Sequence, residues 1–493
     1  MRKVALALIS GLLLFAAFPP IEFWPAAFLG AGLLFLLLSE ERLGARFRIA
    51  LLAGGAFFAP LLHWSSIYVG ALPWLILALG ESLIFAVIAL APIRKNAYGA
   101  IAFASSFTLI ELLRMKAPFG GFGWGRIGFT QVDSLQFLYP FIGVVGISFF
   151  AILLAAIIVV KPISLLAFIP LIILSFFNFN INTSSEKKIE VIAVQGSVPQ
   201  LGLEFNQRAL AVLNNHIDAT PKQSSADLII WPENASDVDP ITNLKARQGI
   251  DKLLSEIQKP LLIGAVEQRS SGPLNSSLLF GADGELLSQY IKQDLAPFGE
   301  YIPLRSISEA ITPLAKQVRD FIPGDNWVKH KIDGIEFQSF ICFEVLDDDH
   351  IQAGAVGAEF LVAQTNNATF GDSYQAAQQL QITRARAAEL SRQFAVVSTT
   401  GYTAHIDQNG EVVTPLYNYT KQIDEKVVAD FYEKYGPELE LTRTSGSPKS
   451  GLLNSGMQLY WIKHTKPEVF KKIKYSMHLP QYLSYIFTGI PVS

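Results

Sequence analysis

The first 178 residues are almost continuously apolar, and this constrains the chain more than any other feature of its sequence. A helix needs about 20 apolar residues to cross a bilayer. Segments of that order recur at about 4–18, 23–39, 49–68, 72–92, 97–113, 137–160 and 162–177. We therefore expect residues 1–178 to form a polytopic α-helical membrane domain of about seven transmembrane helices.

The charges flanking these segments predict their orientation, because cytoplasmic loops carry an excess of Lys and Arg. The first segment resembles a signal peptide, but six more apolar segments and no A-x-A site follow it, so we expect a retained helix. With a cytoplasmic N-terminus, the inner side holds Arg2, Lys3, Arg42, Arg46, Arg48, Arg94, Lys95 and Lys161, and the outer side only Arg114, Lys116 and Arg126. Seven crossings then place residue 179 onward outside the cytoplasm.

Two acidic residues, Glu81 and Glu111, lie within or beside apolar segments. A carboxyl group inside a membrane is costly, and its presence suggests a function. An ion pair with Arg114 is the simpler explanation for Glu111, whereas Glu81 receives no role. The loop PFGGFGWGRIGFTQ (118–131) is rich in glycine and aromatic residues. It is compatible with a contact to lipid headgroups and equally with a re-entrant turn.

The remainder of the chain reads as a soluble region. Residues 179–187 are polar and unpatterned, which predicts a linker. From 188 to 435 strands and helices alternate, which predicts a layered α/β domain with helices covering its sheets. The predicted strands are 189–198, 227–233, 260–268, 335–344, 359–367, 393–401 and 403–413, with a hairpin over 276–292; the predicted helices are 205–218, 240–258 and 373–393.

The C-terminal tail, residues 436–493, contains no run of 18 apolar residues. Its segment 466–487 is basic and aromatic, which is compatible with a membrane surface or with a disordered tail. Without an eighth crossing, the tail is expected to stay on the outer side of the membrane.

Composition excludes several classes of function. The net charge is −3, which gives no indication of nucleic-acid binding. The chain has one cysteine, Cys342, so an intramolecular disulfide framework and a multi-cysteine metal site are excluded. A lone cysteine is most often a buried core thiol.

Three ionisable residues, Glu233, Lys292 and Cys342, are placed at or near the ends of predicted strands. Open α/β sheets place their sites at the carboxyl ends of strands. A thiol needs a base or a neighbouring cation to become a good nucleophile. Glu233 suits the role of base, and Lys292 suits the stabilisation of an oxyanion. The three residue types together match acyl transfer through a thioester, although spacing alone does not bring them together.

The segments around these residues resemble a known family. WPENAS (231–236), YIKQDLAPFGEYIP (290–303), ICFE (341–344) and TNNATFG (365–371) are similar to the Glu-Lys-Cys motifs of the nitrilase superfamily and, more narrowly, to apolipoprotein N-acyltransferases. FPPIEFWP (18–25), HWSSIYVG (63–70) and GFGWGRIGFTQ (121–131) are similar to that family's membrane segments. The resemblance implies a multi-domain chain, with an α-β-β-α sandwich of nitrilase type over residues 188–435 outside the membrane.

The resemblance also implies a role for each matched residue. Glu233 matches the general base, Lys292 the oxyanion-stabilising lysine and Cys342 the nucleophile. Glu300 and Glu344 match two further glutamates that the family needs, and their alternative is a structural one, as salt-bridge partners.

Some positions depart from the family pattern. Asp294 stands where a histidine is usual, Phe343 where a tyrosine is common and Thr369 where a tryptophan is common. A tryptophan usual after the first strand is replaced by Phe205. We expect these changes to affect substrate contacts rather than the class of reaction.

The activity implied is transfer of a fatty acyl chain from a phospholipid to the α-amine of a diacylglyceryl-cysteine in an apolipoprotein, with ping-pong kinetics and no metal or organic cofactor. The implied partners are the phospholipid donor, the lipoprotein acceptor and a bacterial inner membrane, and a monomer is expected. Two alternatives stay open. One is a membrane-tethered amidase or nitrile hydrolase with the same triad, and the other is a transporter or channel with a sensory outer domain.

Overall fold

The structure is a computed structural model that describes residues 2–167, 188–198, 205–311, 316, 318–371, 373–414, 417–418, 431–436, 463 and 470–471. The predicted linker at 179–187, most of the seventh predicted segment (162–177) and most of the tail lie outside the described residues. The chain divides into two compact units, residues 1–417 and 418–493. In the second unit, residues 431–435 form a short helix.

Apolar helices dominate the N-terminal part of the first unit. The six predicted segments before residue 161 are largely helical, which confirms their helical structure but does not test whether each crosses a membrane. Two helical stretches, Ala71–Leu90 and Val132–Val160, are long and apolar enough to cross a membrane. The α-helices are α1 (Arg2–Ala16), α2 (Pro25–Ser39), α3 (Leu43–Leu61), α4 (Ser66–Val69), α5 (Ala71–Ala86), α6 (Ala97–Lys116), α7 (Val132–Leu135) and α8 (Tyr139–Val160).

Small residues let these helices approach closely, as is usual in membrane proteins. A Cβ atom added to Gly11 would lie 2.0 Å from the carbonyl oxygen of Ala53, so α1 and α3 meet backbone to backbone. A Cβ atom added to Gly30 would lie 2.9 Å from the carbonyl oxygen of Ser10, which holds α2 against α1. The hydroxyl of Ser10 also donates to the carbonyl of Gly30 over 2.8 Å.

The buried charges of this region pair differently from the prediction. The guanidinium of Arg114 pairs with the carboxylate of Glu81 rather than with Glu111. Arg114 also donates to the carbonyl of Trp124 over 2.6 Å. Glu111 instead accepts a hydrogen bond from the amide of Ile127, at 2.7 Å. Glu81, to which the sequence assigned no role, is therefore the ion-pair partner of Arg114.

The glycine-rich loop 118–131 is mostly an internal connection. Residues 118–120 are exposed, but from residue 121 to residue 131 the chain is buried, apart from the partly buried Phe122. The buried part packs between the helical region and the α/β region: the guanidinium of Arg126 donates to Asp348 over 2.6 Å. A headgroup contact is thus restricted to the exposed tip of the loop.

Two sheets form the core of the α/β region. The first runs in the order β1-β2-β3-β4-β5, with β1, β2 and β3 parallel and the rest antiparallel. The second runs in the order β11-β10-β9-β8-β7-β6, with β7, β8 and β9 parallel. The strands are β1 (Val191–Ala193), β2 (Leu228–Ile230), β3 (Leu261–Arg269), β4 (Gly272–Phe280), β5 (Leu286–Ile291), β6 (His330–Ile332), β7 (Ile335–Ile341), β8 (Phe360–Thr365), β9 (Phe394–Ser398), β10 (Tyr402–Ile406) and β11 (Tyr417–Asn418).

The sheets stack face to face between helices. Apolar residues of both sheets, including Leu228, Leu262, Phe337 and Val362, form the core between them. The remaining helices are α9 (Phe205–Ala219), α10 (Leu244–Ile257), α11 (Arg305–Ile311), α12 (Asp348–Ala355) and α13 (Gln375–Leu390). Helices α9 and α10 share a core with the outer face of the first sheet. Helices α12 and α13 cover the second sheet and share one core with the N-terminal apolar helices. The predicted layered arrangement is confirmed for the described residues.

The strand predictions differ from the structure mainly in length and in two omissions, β6 and β11. Strand β4 begins at Gly272 and pairs along its whole length with β3, so the hairpin predicted over 276–292 is the second of two consecutive hairpins. Strand β6 was not predicted, because its three residues are too short to show a pattern. It forms a hairpin with β7 through Asp333 and Gly334.

Candidate active site

Strand ends bring the three predicted residues to one edge of the sandwich. Glu233 follows β2 in a tight turn, and the turn needs Gly264, where an added Cβ atom would lie 2.2 Å from the carbonyl oxygen of Pro232. Lys292 directly follows β5, and its amide donates to the carbonyl of Asn275 on β4 over 2.8 Å. Cys342 directly follows β7 and has a φ of +52°, a strained conformation for a residue with a side chain. Such turns between a strand and a helix expose a nucleophile.

The lysine lies between two carboxylates. Its Nζ atom is 2.8 Å from Oε2 of Glu300 and 3.5 Å from Oε1 of Glu233. The amide Nδ2 of Asn275 donates to both glutamates, over 2.8 Å to Glu233 and 2.7 Å to Glu300. All four side chains are buried. Glu300 is thus a salt-bridge partner of Lys292 within this cluster, and its functional role stays a prediction.

The cysteine is partly exposed and lies within hydrogen-bonding reach of Glu233. Burial raises the pKa of the Cys342 thiol, and the charge of Glu233 raises it further. Burial also raises the pKa of Glu233, against the lowering effect of Lys292. Burial alone would lower the pKa of Lys292, but its two carboxylate neighbours raise it. These shifts favour a protonated thiol and a charged ammonium, and the raised pKa makes Glu233 a stronger proton acceptor.

Glu344 supports the ends of the strands that carry these groups. It is fully buried and accepts hydrogen bonds from the hydroxyl of Tyr290 at 2.8 Å, the amide of Gln293 at 2.8 Å and the amide of Ile341 at 2.7 Å. Nε2 of His350 lies 3.1 Å from the same carboxylate. Burial alone would raise the pKa of Glu344, but these partners lower it. Glu344 therefore joins the residue beside Lys292 to the residue beside Cys342.

No metal centre is evident: within the described ranges there is no group of three or more His, Cys, Asp or Glu side chains that could hold an ion.

Two family models match the chain, one for each region. The apolipoprotein N-acyltransferase N-terminal domain matches residues 10–157, and the carbon-nitrogen hydrolase family matches residues 193–426. An apolipoprotein N-acyltransferase of Mycolicibacterium smegmatis is 30% identical over 470 residues, which cover 82% of this chain and 76% of the relative. The chain belongs to the apolipoprotein N-acyltransferase family. The Wigglesworthia glossinidia brevipalpis relative of the same name is 29% identical over 454 residues, covering 84% of this chain and 90% of the relative.

Solved structures match the α/β region. A CN-hydrolase superfamily protein from Xanthomonas campestris aligns with a TM-score of 0.36 at 16% identity, covering 50% of this chain and 95% of that protein. The amidase of Nesterenkonia sp. AN1 aligns with the same TM-score and identity, covering 50% of this chain and 100% of the amidase.

Aromatic residues of both regions meet beside Cys342 in this member of the family. Phe343, the residue after the cysteine, stacks on Phe122 of the buried loop with ring centroids 6.0 Å apart. Phe122 stacks in turn on Trp124, at 6.1 Å. Trp64, which precedes α4, lies 5.0 Å from Trp124 and 4.9 Å from Phe370. Phe343, which stands where the family commonly has tyrosine, therefore packs an apolar ring against the helical region.

Sequence reasoning gave two residues of this region no role. Asn275 bridges the two glutamates, but an asparagine inside a strand carries no signal of such a role. Asp294, a departure from the family pattern, is largely buried near Glu344. Burial and the charge of Glu344 raise the pKa of Asp294 to about 6. The region around Lys292 and Glu344 therefore contains one more acidic group, Asp294, than the predicted site residues include.

Proposed function

We propose that this protein transfers a fatty acyl chain from a phospholipid to the α-amine of a diacylglyceryl-cysteine at the N-terminus of a lipoprotein, through a thioester on Cys342. The observation that carries the proposal is the convergence of Cys342, Glu233 and Lys292 at one edge, beside aromatic residues of an apolar helical region. A soluble amide substrate has no use for that apolar region. Membership of the apolipoprotein N-acyltransferase family supports the same activity.

In the first half-reaction, the sulfur of Cys342 attacks the ester carbonyl carbon of the phospholipid while Glu233 takes the thiol proton. The ammonium of Lys292, 3.5 Å from Glu233, stabilises the oxyanion that develops. The carbon–oxygen bond of the ester then breaks. The leaving alkoxide takes the proton from Glu233 and departs as lysophospholipid.

In the second half-reaction, the neutral α-amine of the lipoprotein attacks the thioester carbonyl. Glu233 accepts a proton from the nitrogen, Lys292 again stabilises the oxyanion, and the carbon–sulfur bond breaks. The thiolate recovers a proton from Glu233, and the product is an amide. Separate donor and acceptor steps give ping-pong kinetics. Glu300 holds Lys292 in place and Glu344 holds the two strand ends, so both act through their neighbours.

We further propose that the helical region is a multi-pass domain of the bacterial inner membrane and that the α/β region lies outside the cytoplasm. The two long apolar stretches, Ala71–Leu90 and Val132–Val160, support membrane insertion. The excess of basic residues on the predicted inner side supports the orientation. A phospholipid then reaches the site laterally from the outer leaflet.

The test is mass spectrometry of the purified full-length protein incubated with phospholipid alone. We expect one acyl adduct, on Cys342, which is the chain's single cysteine. Glu233→Gln should abolish the adduct. The matched control is Glu267→Gln, another buried glutamate, whose partners are Arg269 and Gln289; it should keep the adduct.

Adding a diacylated lipopeptide should then discharge the thioester with formation of a triacylated product. Discharge by water, with hydrolysis of small amides and no product on the lipopeptide, would instead indicate an amidase. Acylation by a Cys342→Ala protein would rule out the thioester route.

A further inference from the structure

We propose that Gln379 is a further catalytic residue, whose side-chain amide donates a hydrogen bond to the sulfur of Cys342 and stabilises the thiolate. This inference rests on the proposed role of Cys342 as nucleophile. It concerns a residue on α13, a helix that none of the predicted site residues occupies.

The geometry places one amide nitrogen between two atoms of the cysteine. Nε2 of Gln379 lies 3.1 Å from the carbonyl oxygen of Cys342 and 3.8 Å from its sulfur. An amide NH₂ group carries two protons, so it can donate to both acceptors at once. The bond to the carbonyl also supports the positive φ of Cys342, because it fixes the peptide group that follows the strained residue.

The orientation of this amide follows from its partners. A backbone carbonyl oxygen only accepts hydrogen bonds, so the Gln379 atom facing the carbonyl of Cys342 must be the nitrogen. The other end of the amide, Oε1, accepts a hydrogen bond from Nε2 of Gln375 over 3.1 Å. A donor, rather than a carbonyl oxygen, therefore faces the sulfur.

The preceding residue holds α13 in register against the helical region. Oε1 of Gln378 accepts from the indole nitrogens of Trp64 at 3.1 Å and Trp124 at 2.7 Å. Its Nε2 donates to the carbonyls of Pro19 and Leu61, each over 3.2 Å. One buried amide thus joins three separate segments of the helical region. Since Gln379 is the next residue, the same anchorage fixes its position over Cys342.

The charges around the sulfur explain why a neutral donor is useful there. Glu233 and Glu300 both disfavour the thiolate, and Lys292 is the favourable charge opposing them. A hydrogen bond to the sulfur becomes charge-assisted, and therefore stronger, only when the thiolate forms. Such an interaction lowers the barrier to attack because it strengthens as charge develops. The Gln379 hydrogen bond also acts to lower the pKa of the thiol.

The test measures the rate at which iodoacetamide alkylates Cys342 in the full-length protein, by mass spectrometry, between about pH 6 and pH 10. The raised pKa of the thiol places this range below it, so the rate follows the small fraction of thiolate. Gln379→Met has a similar volume but removes the donor, and it should slow alkylation. If the thiol pKa rises by one unit, the thiolate fraction falls about ten-fold below that pKa, and the higher nucleophilicity reduces the net effect to about three-fold. Gln379→Glu should be slower still, because it adds a like charge.

A cationic donor supplies the decisive comparison. Gln379→Lys should alkylate faster than Gln379→Met, because it restores a donor to the sulfur, whereas a purely packing role predicts no such rescue. The matched control is Gln381→Met on the same helix, where Nε2 contacts the carbonyl of Ala17 at 3.4 Å; it should match the wild type. Equal rates for Gln379→Met and Gln379→Lys, or a Gln379→Met rate equal to wild type, would overturn the inference.

The outcome is separable from that of the proposed function. If the variants are alkylated in the expected order of rates but the wild type takes no acyl group from phospholipid, only the acyltransferase proposal is contradicted. If the wild type is acylated but the alkylation rates of the variants do not follow the expected order, only the role of Gln379 is contradicted.

Discussion

Both regions of the molecule bury charged side chains, but they balance them differently. In the helical region, the single guanidinium of Arg114 meets the single carboxylate of Glu81, and a backbone carbonyl satisfies another of its donors. In the α/β region, the ammonium of Lys292 meets two carboxylates, Glu233 and Glu300, with a thiol beside them. The first cluster is matched in charge, and the second has an excess of acidic groups.

The difference separates a structural role from a reactive one. A matched buried pair has no reason to exchange protons, and its loss leaves one unpaired charge that destabilises the fold. Burial and the neighbouring negative charges raise the pKa values of Glu233 and of the Cys342 thiol, which favours proton transfer between thiol and carboxylate. Perturbed groups of this kind gather at functional sites. Removing the cation should therefore lower the rate of acylation in the second cluster and the stability of the fold in the first.

The largest effect is expected from Lys292→Met. Removing the ammonium eliminates the stabilisation of the oxyanion and leaves two carboxylates facing the thiol. The rate of acyl-adduct formation on Cys342 should fall by about 10²–10³-fold, the range typical for loss of an oxyanion donor. The measurement is adduct formation over time by mass spectrometry, with phospholipid as donor. Adduct formation at the wild-type rate would mean that the cation is structural.

The next effect is expected from Arg114→Met, and it should fall on stability. The change leaves Glu81 buried without its partner, which typically costs about 3–5 kcal/mol. We expect a lower thermal unfolding midpoint in detergent, while the folded fraction forms the acyl adduct at a rate close to wild type. Glu81→Gln combined with Arg114→Met should recover part of the loss, because no unpaired charge then remains. A specific loss of adduct formation at unchanged stability would contradict this division of roles.

The sequence was sufficient to single out the three ionisable residues that the structure brings together. Glu233, Lys292 and Cys342 each follow a strand of strong β character, which the sequence pattern shows. Strands β2 and β7 belong to different sheets, so only the stacking of the two sheets brings their ends together. The sequence was not sufficient for partners joined by the fold alone. Glu81 and Arg114 are 33 residues apart on different helices, and the nearer Glu111 misled the prediction.

The contacts of α13 were equally out of reach. Its glutamines gave only a helical pattern, because amides carry no charge and no distinctive spacing. Some of their contacts reach segments more than 300 residues earlier, as in the bond from Trp64 to Gln378 across 314 residues. Such a contact exists only once the two regions have packed together.

The smallest effect is expected from Asp294→Asn. This change removes one acidic group near Lys292 and Glu344, and so tests how far the excess of acid in the α/β region extends. Burial and the neighbouring Glu344 raise the pKa of Asp294 to about 6, above the value of about 3.9 for an unfolded chain. The protonated form is therefore favoured by folding, and this contribution is complete below pH about 3.9 and lost as the pH rises through about 6. A shift of about two pKa units corresponds to about 3 kcal/mol in full, and about 2 kcal/mol of it falls between about pH 4 and pH 7. Wild type should accordingly lose about 2 kcal/mol, or about 2 °C in unfolding midpoint, across that range relative to Asp294→Asn. Parallel melting curves of the two proteins from pH 4 to pH 7 test this: midpoints that keep a constant difference across the range would show that Asp294 does not titrate there, and that the excess of acid is confined to the groups around Lys292.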